Sequence, residues 1–114
     1  MNKKILFTIL TVFIFGLGAM AHGPKKVKLS FDKTSSTLTA DIAHKVKNVE
    51  KHYISKITIY VNGEEVKSET YEKQTDKAHK LAEFNIADLK SGDILKLTAK
   101  CNKFGKKSAE ITIE

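Results

Sequence analysis

Val27, Leu29 and Phe31 alternate with Lys28 and Ser30. That is the period of two expected of a strand with one buried face. Leu38, Ala40 and Ile42 repeat it against Thr37, Thr39 and Asp41, so a second strand delivers His44 at its end. Residues 45–51 read as polar loop. From Tyr53 to Val61 the chain is rich in β-branched and aromatic residues, which favours a strand. There Tyr53, Ser55, Ile57, Ile59 and Val61 share one parity, and Ile54, Lys56, Thr58 and Tyr60 the other. Asn62-Gly63 follows at once, a hairpin signal because both turn positions need positive φ. Residues 64–70 return as a more polar edge strand. Ala82, Phe84 and Ile86 then share a face, as do Leu95, Leu97, Ala99 and Cys101. Cys101 therefore has the inward parity where the sixth strand runs out. Asn102 to Gly105 make a tight turn, with Phe104 expected to pack over the end of the core. Ala109, Ile111 and Ile113 finish a seventh strand.

About seven short strands, regular turns and no helical period predict an all-β fold. The expected architecture is an antiparallel β-sandwich of immunoglobulin-like size. The chain has no tryptophan and one cysteine, so the disulfide-and-tryptophan core of antibody domains is absent.

The first residues do not fit this pattern. Lys3 and Lys4 precede an apolar run from Ile5 to Leu17, and Ala19-Met20-Ala21 closes it. This is the layout of a secretory signal peptide, and the run is short of the about 20 apolar residues of a membrane span. The expected division is 1–21 signal peptide and 22–114 sandwich. The mature protein would be exported, periplasmic or secreted, with no membrane segment after cleavage. Losing Lys3 and Lys4 lowers the net charge from +7 to +5. All 20 basic residues are lysine and are interspersed with acids. That describes a solvated surface rather than a nucleic-acid interface, which would cluster arginine with aromatics.

One cysteine makes no internal disulfide. In an oxidising compartment it is buried, paired between chains, or a metal ligand. His44 and His52 flank one loop and Cys101 opens another, and in a sandwich these two loops lie at the same end. Imidazole and thiolate donors exclude calcium-type sites, which want oxygen. They leave iron, zinc and copper open. The plain alternatives are two exposed loop histidines and an inert buried thiol. His22 would begin the mature chain, either as a frayed terminus or as a copper chelator using its imidazole and α-amine. His79 reads as a solvent residue. Lys51 beside His52 would attract an anion. No serine triad order, phosphate loop or paired-carboxylate signature is present.

The string His52-Tyr53-Ile54, with a histidine shortly upstream, Asn62-Gly63-Glu64-Glu65, and Cys101-Asn102-x-x-Gly105 resembles the ferrous-iron domain of desulfoferrodoxin and neelaredoxin, the superoxide reductases. The resemblance covers about residues 38–105 and implies an immunoglobulin-like sandwich. It also implies an iron held by histidine nitrogens and an axial cysteine, reducing superoxide to peroxide. His44, His52 and Cys101 match ligand positions, with His22 as counterpart of an upstream histidine. Phe104 stands where the family has a further histidine, the His44–His52 gap is two residues longer, and no proline follows His44. Two classes of function follow. One is an exported mononuclear metal protein, with iron expected and copper or zinc as alternatives. It would act in oxygen defence or electron transfer on superoxide or with a small redox partner. The other is a non-catalytic sandwich, either a metal carrier or a partner-binding module.

Overall fold

The computed structural model describes residues 23–114. The expected signal peptide and His22 lie outside the described residues. Seven strands follow in order: β1 (Lys26–Asp32), β2 (Thr37–Ala43), β3 (Ile54–Val61), β4 (Glu64–Thr70), β5 (His79–Asn85), β6 (Ile94–Cys101) and β7 (Lys106–Thr112). No helix occurs among the described residues. All strand pairs are antiparallel, in a three-stranded sheet β1-β2-β5 and a four-stranded sheet β4-β3-β6-β7. An antibody constant domain puts its fourth strand on the opposite sheet. Here β4 stays paired with β3 because Asn62 (φ 52°) and Gly63 (φ 88°) close a tight hairpin.

The core lies between the sheets. Leu38, Ala40, Ile42 and Phe84 on one side meet Ile57, Ile59, Leu95 and Leu97 on the other. Fully burying a Leu or Ile side chain is worth roughly 1.5–3 kcal/mol, so this alternating set is what sorts the two sheet faces. Lys80 has the same inward parity on edge strand β5. It is buried with its ammonium 3.5 Å from the centre of the Tyr71 ring. Burial lowers the Lys80 pKa below that of an ordinary lysine, and the Tyr71 hydroxyl is pushed up to about 12, by burial first and then by Glu69.

One face assignment differs from the alternation. Ile54 shares parity with Lys56 in the sequence, yet it is fully buried with Ile57 and Ile59. The pairing runs Ile54↔Cys101 and then Lys56↔Lys100, so Ser55 is an extra residue in β3. A β-bulge of this kind resets the side-chain parity. Residues on the two sides of Ser55 therefore face the core at odds with a strict period of two.

The strand directions gather four pieces of chain at one end of the sandwich. These are the start of β1, the loop 44–53, the loop 71–78 and the loop 102–105.

Candidate metal centre

His44 continues the inward parity of Leu38, Ala40 and Ile42 one step past β2. Its exposure is 1%. The backbone stays strand-like there because His44 N–H donates to the Ala78 carbonyl (2.9 Å) and Val46 N–H to that of Lys77 (2.8 Å). Val46 is consequently buried in a loop that the sequence presents as polar. Cys101 is the last inward residue of β6 and is 2% exposed.

His52 comes from the loop between them. The carbonyl of Asn48 accepts N–H groups from Lys51 (3.1 Å) and His52 (3.0 Å), and its side-chain oxygen accepts from Glu50 (2.9 Å). This turn reverses the chain. Asn102 then clamps it: its side chain accepts from Tyr53 N–H (2.9 Å) and donates to the Lys51 carbonyl (3.1 Å). Its backbone N–H donates to the Tyr53 carbonyl (3.0 Å). The clamp brackets His52 on both sides and holds it to the cysteine loop.

The result brings all three side chains together. His52 Nε2 lies 3.2 Å from Cys101 Sγ. The His44 and His52 rings meet edge to face at 89°, centroids 4.8 Å apart. One ligand atom from each of His44, His52 and Cys101 lies within 4.8 Å of the others.

Gln74 lies beside this cluster, and the sequence gives no sign of it. It is 3% exposed, and its amide has four partners. The oxygen faces Ile54 N–H (3.2 Å) and His44 Nδ1 (2.7 Å), and the nitrogen donates to the carbonyls of His44 (2.6 Å) and Asp76 (3.0 Å). Two carbonyls can only accept and a backbone N–H can only donate, so the amide orientation has one solution. The oxygen therefore faces His44 Nδ1, and that nitrogen must carry the hydrogen. In the neutral ring Nε2 of His44 is then the nitrogen with the lone pair, the atom through which the ring could ligate a metal.

A cysteine–histidine pair is also the arrangement of a thiol nucleophile. Burial argues against that role: a substrate carbonyl does not reach a sulfur that is 2% exposed. A single ion does. Bonds of about 2.1 Å to nitrogen and 2.3 Å to sulfur place the donors about 3.1 Å apart at a right angle and about 3.6 Å apart at the tetrahedral angle. The observed 3.2 Å fits two ligands sharing one ion. Lys103 N–H points at the sulfur from 3.4 Å and suits a thiolate there.

One of the remaining sequence candidates behaves differently from expectation. Phe104 is not packed over the core; it is 60% exposed. The turn is closed by Cys101 N–H to the Gly105 carbonyl (3.0 Å), and Gly105 sits against Gly23, so Phe104 falls on the outward side. His79 pairs with Asp41, Nδ1 to Oδ1 at 2.7 Å, and is not part of the three-residue cluster. The Asp41 hydrogen bond and charge raise the His79 pKa above the ordinary histidine value.

A superoxide reductase (1Fe-SOR) from Giardia intestinalis aligns with 81% of this chain and 97% of its own, at 22% identity and a TM-score of 0.56. The fold is that of a superoxide reductase. At this identity the likeness establishes shared architecture, so the superoxide reductase fold is the frame on which His44, His52 and Cys101 sit. No family model matches the sequence, and no curated protein matches it.

Proposed function

We propose that this chain is an exported mononuclear metal protein whose metal is iron, and that its reaction is the one-electron reduction of superoxide. The observation carrying this reading is the convergence of His44, His52 and Cys101 on a superoxide reductase fold. Two imidazoles and a thiolate suit iron, zinc or copper over hard cations. Bound iron would supply the electron; superoxide takes one electron and two protons to give hydrogen peroxide. Gln74 sets the donor atom of His44, Asn102 holds His52 in place, and Lys103 N–H supports negative charge on the sulfur.

His22 is proposed as a fourth ligand. Gly23, the residue after it, approaches the cysteine loop so closely that an added Cβ would lie 3.0 Å from Gly105 Cα. Phe104 in place of the family's histidine favours a second reading, a zinc or copper carrier, because a tetrahedral site needs four protein donors, or three and a water.

The test is anaerobic reconstitution followed by elemental analysis, an absorption spectrum and superoxide kinetics. The iron reading expects about one iron per chain, a sulfur-to-iron charge-transfer band and peroxide as product, with Cys101→Ser losing the band and the metal while keeping the β fold. Zinc or copper retained in place of iron, with no superoxide consumption, would establish the carrier. Unchanged metal content in Cys101→Ser would defeat both.

A further inference from the structure

Beside His52 the loops form an open cavity of about 630 Å³. A water molecule occupies about 30 Å³ of liquid, and superoxide is of similar size, so the cavity is far larger than the proposed substrate needs. Its volume falls within the roughly 300–1,000 Å³ typical of small-molecule sites. Five of the nine described residues that line it are lysines: Lys25, Lys45, Lys47, Lys51 and Lys103. With 20 lysines in 114 residues, nine positions drawn evenly would hold one or two. None of the nine is acidic. Among the described residues no ion pair involves any of these five lysines.

The lysines do not come from one charged run. Lys25 precedes β1, three sit on the loop 44–53, and Lys103 follows Cys101. Their backbones are held. Lys25 N–H donates to the Ala43 carbonyl (2.8 Å), and the bonds of His44 and Val46 to the 77–78 segment keep Lys45 and Lys47 outward while His44 and Val46 face in. Ammonium groups brought together on a concave wall raise the local anion concentration. Their aliphatic stems, with Val46, line the walls.

We infer that this cavity is a binding site for a multivalent oxyanion of small-molecule size, a polycarboxylate or a phosphate compound. Bound there, it covers the approach to His52. His52 lines the cavity as well as the metal cluster, so the two sites adjoin, but the groups proposed to hold the anion are the lysines rather than the three candidate metal ligands.

Calorimetry on the chelator-stripped protein at fixed ionic strength tests this, with citrate and tripolyphosphate as separate probes. The expected result is saturable one-to-one binding of at least one probe, the stronger of the two naming the carboxylate or the phosphate class. The Lys45→Gln/Lys47→Gln/Lys51→Gln variant should bind about tenfold more weakly or worse. A variant of equal charge, Lys28→Gln/Lys56→Gln/Lys90→Gln, changes exposed lysines outside the cavity and should bind as wild type. Cys101→Ser should also bind as wild type, which separates this site from the metal reading. Equal losses in the two triple variants would mean diffuse surface attraction and overturn the site. So would no binding of either probe, as expected if the lysines serve an acidic protein instead.

Discussion

Gln74 holds His44 twice, donating to its carbonyl at 2.6 Å and accepting from its imidazole at 2.7 Å. One amide thus fixes both the main chain and the ring of a candidate ligand. The ring can neither turn nor exchange its tautomer without breaking a buried hydrogen bond. This predicts that the metal-free protein shows the Nδ1–H tautomer of His44 in nitrogen NMR. Gln74→Leu should lose that preference, bind metal about 10–100-fold more weakly and be less stable by about 3 kcal/mol, because an N–H and two carbonyls lose their partner. Gln74→Glu keeps the acceptor, so it should keep the tautomer. An Nε2–H tautomer in the wild type would refute the assignment.

The Asn102 clamp predicts a separation between metal affinity and stability. Asn102→Ala removes the bonds to Tyr53 N–H and the Lys51 carbonyl but leaves the backbone bond to Tyr53. Both lost bonds are near the surface, so the cost should be about 1 kcal/mol in urea denaturation. Metal affinity should fall about tenfold, because His52 is no longer held against Cys101. Wild-type affinity in this variant would show that the loop needs no clamp.

Gly105 has φ 87°, and a Cβ there would lie 3.0 Å from Gly23 Cα. Gly105→Ala meets both the left-handed backbone and a backbone neighbour that has no flexible side chain to yield. It should cost more than about 1 kcal/mol and weaken metal binding through the turn that carries Cys101. Gly63→Ala is the control. It has φ 88° but nothing within 4 Å, so it should lose stability and keep metal affinity.

Two exposed groups predict a pH dependence of stability. The His79 pKa is raised by its hydrogen bond to Asp41, so protonated His79 favours the folded state. That contribution is complete below the unfolded value of about 6.5 and is lost as pH rises through the higher folded value. Asp76 goes the other way. Backbone N–H groups of Ala78 and His79 lower its pKa, so its contribution is present above 3.8 and lost in acid. Thermal scans of His79→Gln should lack the weakening just above neutral His titration and retain the acid limb. An unchanged alkaline limb would count against the pair.

The strands were legible in the sequence because alternation is local. Each run such as Leu38-Ala40-Ile42 or Leu95-Leu97-Ala99 states which side faces the core without reference to any partner. That alternation also placed Cys101 inward, and its extension by two residues would have placed His44 inward as well. Ile54 was misread because the Ser55 bulge is a property of the pairing with β6, not of β3 alone. Phe104 was misread because apolar character says nothing about which side of a closed turn a residue takes.

Sequence alone thus determined the strand inventory, the sandwich class and three residues able to share an ion. Both hydrophobic period and ligand chemistry reside in single side chains and their immediate spacing. Tertiary structure decided the rest. Gln74 lies in a polar stretch, and its partners His44 and Ile54 are 30 and 20 residues away. The five lysines of the cavity come from three segments that the fold alone makes neighbours. Hydrogen-bond satisfaction and charge convergence are properties of positions in space, so no pattern along the chain could announce them.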